Sequence, residues 1–199
     1  MSGHIYVFEG VDGAGKSTLA GAVSARLAEE RVRVALRSFP GREPGTFGEL
    51  VYRLHHDPAA LGVQSITPTA LQLVHVAAHL DAIEREIDPL VKSGAVVLLD
   101  RYWWSTWAYG VGSDANQDAL AGMIDLERSF WGDLLPEVIF LVERSGSQTA
   151  GLCRVAEAYA ALASRDPRAI RIDNSGSLEA SISAVLDTIR ARSAPLVES

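Results

Sequence analysis

Residues Gly10 to Ser17 read GVDGAGKS and match the pattern G-x-x-x-x-G-K-[ST] at every fixed position. The flanks agree with it. His4 to Phe8 (HIYVF) is a short apolar run expected as a buried strand, and Thr18 to Glu30 is expected as the helix that follows. Glycine carries no Cβ, so such a turn can wrap closely around an anion. Its amides and the helix N-terminus then face that anion. The predicted phosphate cradle is Asp12, Gly13, Ala14, Gly15, Lys16, Ser17 and Thr18. Lys16 is expected to reach the outer phosphates, and the Ser17 hydroxyl to ligate Mg²⁺.

A strand–loop–helix opening of this kind commits a chain to a parallel sheet, and the rest of the sequence continues the alternation. Val32 to Leu36, Val96 to Leu99, Val138 to Val142 and Ala169 to Ile172 are the further expected strands. Phe47 to His55 is expected as a short helix stopped near Asp57-Pro58. Thr67-Pro68 caps a long helix ending at Ser93-Gly94, with an apolar stripe of Leu73, Val76, Ala77, Leu80, Ile83 and Ile87. Val155 to Ala163 and Ser177 to Arg192 are expected helices, and Ser145 to Gly151 reads as a flexible stretch. The predicted class is α/β, a three-layer sandwich around a mostly five-stranded parallel sheet, formed by a single domain over residues 1–199.

Composition narrows the partners. A net charge of −7 argues against a nucleic-acid polymer or an anionic membrane. No apolar run approaches the roughly 18 residues of a membrane span, and no secretory signal opens the chain. The lone cysteine, Cys153, is expected as a buried thiol in a reducing cytoplasm.

Open α/β sheets bind ligands at the carboxyl ends of their strands. Three polar clusters fall there: the glycine loop, Arg42-Glu43-Pro44-Gly45, and Asp100-Arg101-Tyr102. Arg42 alone could be a solvated loop arginine, and Asp100-Arg101 a structural ion pair. Convergence of all three on one site makes coincidence the weaker explanation.

Together these segments resemble the thymidylate kinase family of P-loop nucleotide kinases. Phe8 to Thr18 is similar to that family's phosphate loop, Arg42 to Glu49 (REPGTFGE) to its arginine loop with one glycine fewer, and Asp100 to Tyr109 (DRYWWSTWAY) to its D-R-Y-x-x-S-x-x-A-Y segment. The resemblance implies a P-loop NTPase fold, a homodimer, and phosphoryl transfer from Mg²⁺-ATP to a nucleoside monophosphate. Lys16, Arg42, Asp100 and Arg101 would be catalytic, with Ser17 and Asp100 at the Mg²⁺. The acceptor would meet Asp12, Arg42, His75, His79, Arg101, Tyr102, Ser105 and Tyr109. Guanidinium forks suit a phosphate held by two oxygens.

The departures from the family bear on the acceptor. His75 and His79 stand where the family carries a base-stacking aromatic and a base-reading arginine. Four residues apart, they share a helix face, distinct from the apolar stripe. They are open to three readings: acceptor contacts, solvated or core-edge histidines, or a metal pair. Gly110 stands where the family has a glutamine after Ala-Tyr. The arginine-rich lid near 143–154 is about fifteen residues shorter than the family layout, and Ala14 replaces a basic loop residue. An arginine finger is worth about 10³ to 10⁵ in rate, so Arg144 and Arg154 are the candidate substitutes. Trp103, Trp104 and Trp107 are either core packing, or an aromatic wall to the acceptor pocket or a dimer surface, and His55-His56 is expected to be a solvated feature. The alternatives to a monophosphate kinase are a kinase for another acceptor, such as a nucleoside or specialised metabolite, and an ATP-binding regulatory protein. The missing N-K-x-D sequence argues against a GTPase.

Overall fold

The structure, a computed structural model, describes residues 3–146 and 150–192. Five strands form one sheet in the order β2-β3-β1-β4-β5, all paired in parallel. They are β1 (His4–Glu9), β2 (Val34–Ser38), β3 (Val96–Asp100), β4 (Val138–Glu143) and β5 (Ala169–Asp173). The central three are almost wholly buried, which is why they read as continuous apolar runs. At the edge, β2 starts two residues later than the sequence suggested, because Val32 is taken up closing the preceding helix with an N–H bond to Leu27.

The helices are α1 (Lys16–Glu29), α2 (Phe47–His56), α3 (Pro68–Ala82), α4 (Asp88–Lys92), α5 (Trp103–Gly112), α6 (Gln117–Trp131), α7 (Cys153–Ala163) and α8 (Leu178–Arg192). Thr67 caps α3 as expected, its hydroxyl accepting from the Ala70 amide. A π turn over Ile83–Ile87 joins α3 to α4. Pro89 explains the turn, since it has no N–H to give to the carbonyl of Arg85.

Sequence reasoning missed α6. Its signal was present: Asn116 caps it by accepting from the Ala119 amide, and Leu120, Ile124 and Trp131 are buried at helical spacing. The stripe on α3 is also corrected. Val76, Ile83 and Ile87 are buried, but Leu73 stays 49% exposed while Gln72 and His79 go inside. The reason is that α3 packs against α2, α5 and α6, and a polar cavity lies among them. Cys153 is exposed, not buried, because it opens the first turn of α7. Trp104 is buried and Trp103 and Trp107 pack against the core, so the tryptophans build the interior and not a cavity wall. Of the expected flexible stretch, residues 147–149 lie outside the described residues.

The register aligns strand ends. Phe8, Ser38 and Asp100 lie level across β1, β2 and β3, and Glu143 lies level with Asp173 on the other side. Each strand therefore delivers its next residues to the same rim: Gly10, Phe39, Arg101, Arg144 and Asn174.

Candidate active site

At this rim lies a cavity of about 510 Å³, a volume typical of small-ligand sites. The glycine loop forms its floor. Gly10 and Gly15 have positive φ, and a Cβ on either would come within 2.4 Å of the Val142 carbonyl or the Asn174 amide. The Asn174 amide in turn donates to the Ala14 carbonyl at 2.8 Å, pinning the loop from β5. Nothing local in the chain marks Asn174, whose place depends on the sheet order. Ala14 is in the loop but does not line the cavity. Its side chain is buried and its amide turns back on the Val11 carbonyl.

Lys16 is buried, and its ammonium donates to the Val11 carbonyl at 2.8 Å. Burial and the nearby Arg101 guanidinium lower its pKa to about 8, against the pull of Glu9, Asp100 and Asp12. The Ser17 hydroxyl donates to Asp100 Oδ2 at 2.5 Å, and Asp100 Oδ1 is buried without a partner. A hydroxyl beside a half-unpaired buried carboxylate fits a hard divalent cation, which takes few protein ligands and several from phosphate or water. Among the described residues no cluster of three or more His, Cys, Asp or Glu could hold a metal unaided.

Arg101 stands at φ 88, an uncommon conformation for a residue with a side chain. Glu9, fully buried and absent from the sequence reading, sustains it. Its carboxylate accepts from the Tyr102 and Ser105 amides, the Ser105 hydroxyl and the Tyr159 hydroxyl, at 2.7 to 3.1 Å. That places a negative charge at the start of α5, where the helix dipole favours it. Burial raises the Glu9 pKa, against the lowering effect of Arg101, Ser105 and Lys16. Arg101 then donates to Ser105 Oγ at 3.0 Å and pairs with Asp12. Tyr109 lies under the Arg101 guanidinium and accepts from the Asp12 amide. Burial lifts the Tyr109 phenol to about 12, so it stays protonated.

Asp12, Gly13, Gly15, Lys16, Ser17, Thr18, Arg42, Asp100, Arg101, Ser105 and Tyr109 therefore line one cavity. Tyr102 does not. Its ring is buried against Trp131 and only its backbone amide serves the site, through Glu9. Arg42 reaches the cavity from an exposed loop, over the Tyr52 ring. That loop is fixed because Gly48 of α2 packs onto the Pro40 and Gly41 carbonyls, which a Cβ would meet at 2.5 and 2.8 Å. Arg144 also lines the cavity, whereas Arg154 pairs with Asp114 at 2.7 Å away from it.

Four of the five histidines line the opposite end: His55, His56, His75 and His79. His55 and His56 are exposed, as the solvated reading expected, yet they also line the cavity, with His55 Nδ1 3.1 Å from His75 Nε2. Burial, with His79 and His55 adding to it, lowers the His75 pKa to about 3, so its ring is neutral. His79 stacks on Phe39 at 4.2 Å, and its Nδ1 lies 2.9 Å from both oxygens of buried Glu127. Glu127 went unread because it lies on α6.

The family model for thymidylate kinase matches residues 8–158. The chain belongs to the thymidylate kinase family. A thymidylate kinase of Caulobacter vibrioides is 32% identical, with 94% of this chain and 96% of that protein covered. One from Symbiobacterium thermophilum is 33% identical over 86% of each. A crystal structure of thymidylate kinase from Ehrlichia chaffeensis matches the fold with a TM-score of 0.78, covering 96% of this chain and 100% of that one at 21% identity. Thymidylate kinase membership agrees with the glycine loop, the Arg42 loop and the Asp100-Arg101 segment converging on one rim.

Proposed function

We propose that this chain transfers the terminal phosphoryl group of ATP to the phosphate of a nucleoside monophosphate, with thymidylate as the leading acceptor. The observation that carries this is a single cavity in which Lys16, Arg42 and Arg101 face the Ser17–Asp100 pair. Two polyanions repel one another, and a site that joins them must place cations between them. Lys16 and the loop amides suit the donor phosphates. Arg101, held by Ser105 and Asp12, and Arg42, reaching in from its loop over the Tyr52 ring, suit the acceptor phosphate.

An acceptor phosphate oxygen forms the new bond to the terminal phosphorus as the bond from that phosphorus to the bridging oxygen breaks, and ADP leaves with the electron pair. Ser17 and Asp100 would hold Mg²⁺, which neutralises charge on the donor phosphates. Arg144 lines the cavity where the lid is short, whereas Arg154 pairs with Asp114. Asp12, which pairs with Arg101, would meet the acceptor's sugar.

Steady-state ADP release with ATP and a panel of nucleoside monophosphates and nucleosides tests this reading. Turnover with a monophosphate and none with the nucleosides supports it. Tight ATP binding with no acceptor turned over would replace it with a regulatory role. The histidine-lined end supports a second reading, a related or modified base as the preferred acceptor, and the same panel ranks it.

The reaction is proposed for the cytoplasm. No helix among the described residues is long and apolar enough to cross a membrane. A homodimer is proposed through α3 and α6, which pack together and leave Leu73, Leu126 and Phe130 exposed.

A further inference from the structure

Two polar side chains in the histidine-lined end are nearly sealed from solvent yet make no hydrogen bond among the described residues. Gln72, on α3, is 4% exposed, and Thr106, on α5, is 3% exposed. Both line the cavity. A buried amide without a partner is destabilising, and native proteins rarely leave one so. Among the described residues the side-chain atoms that are fully sealed and unpaired are Asp100 Oδ1 and Arg168 Nη1, so the Gln72 amide keeps an opening. The space it opens on is the cavity.

Gly110 makes this arrangement possible. A Cβ there would lie 3.4 Å from Gln72 Cγ and under 3 Å from both Leu120 methyls. Thr106 is one helical turn before Gly110, on the same face of α5. The Gln72 stem thus packs over the bare Gly110 backbone, and Thr106 lines the same cavity. A carboxamide presents a donor and an acceptor side by side. It complements a ligand edge carrying adjoining N–H and C=O groups.

We infer that Gln72, seated on Gly110 and assisted by Thr106, reads the edge of the acceptor base. This rests on the monophosphate kinase reading, and it names a specificity residue on α3 that neither the sequence motifs nor the catalytic cluster assigns. His75 and His79 then form the walls of the base pocket, and Gln72 its reading group.

The test pairs Gln72→Leu, which keeps the bulk and removes the amide, with thymidylate and N3-methylthymidylate, whose edge N–H is blocked. Affinity is read by equilibrium titration, and turnover by ADP release. The expected result is a loss of about tenfold in thymidylate affinity in the variant, with the KM for ATP unchanged and the two proteins equal on the methylated nucleotide. Gly110→Ala, which displaces Gln72, should reproduce that pattern. An equal loss on both nucleotides, or none on either, overturns the inference while leaving the kinase reading in place. Failure of the wild-type protein to bind any nucleoside monophosphate removes both.

Discussion

At the residue scale, the site is organised by desolvated charge. Lys16 carries an ammonium with a pKa near 8 because it is buried beside Arg101. The protonated form attracts phosphate, so kcat/KM for ATP should decline as pH rises through about 8 to 9, and a flat profile to pH 10 would contradict that assignment. His75 behaves in the opposite sense. Its folded-state pKa of about 3 lies below the ordinary value near 6.5, so between those values the unfolded chain binds the extra proton. Stability is therefore fully present above pH 6.5 and lost on acidification, by about 1 kcal/mol at pH 5 after allowing for partial exposure. His75→Phe should flatten the fall in Tm between pH 6.5 and 5, which calorimetry reads directly. The fixed residues of the glycine loop were legible from the sequence, because phosphate recognition there depends on local backbone. Glu9, Glu127 and Asn174 were not, because each acts on a segment far away in the chain.

At the element scale, Glu9 ties the strand end to the helix that supports Arg101. The carboxylate joins the end of β1 to the first turn of α5 through four accepted hydrogen bonds. Glu9→Gln replaces one accepting oxygen with a donor that faces other donors. It should destabilise the fold by about 3 kcal/mol in urea titration and lower kcat, since Arg101 loses its support. A fully active, fully stable variant would show that Arg101 is held otherwise. Strands and most helices were legible from apolar runs and caps. The helix α6 was not, because its apolar residues do not keep to one face, Leu126 and Phe130 staying exposed, and its inward face includes Glu127, whose partner His79 lies on another helix. For the same reason the stripe on α3 misled. Periodicity locates apolar residues, but a polar cavity can bury Gln72 and His79 and leave Leu73 outside.

At the scale of the whole molecule, strand order determines which loops meet. With β3 on one side of β1 and β4 on the other, the glycine loop sits centrally between the Arg101 and Arg144 segments. If α3 and α6 form the dimer face, Leu126→Glu with Phe130→Glu should yield monomers in sedimentation velocity without loss of helicity, and an unchanged sedimentation coefficient would place the interface elsewhere. The central claim is that one cavity grips two anionic ligands end to end. A bisubstrate analogue joining adenosine and thymidine through a polyphosphate chain tests it most directly, by titration calorimetry. It should bind at least a hundredfold more tightly than ATP or thymidylate alone, and Lys16→Ala and Arg101→Ala should each erase most of that gain. An analogue that binds no better than ATP, with affinity indifferent to Arg101, would contradict the account.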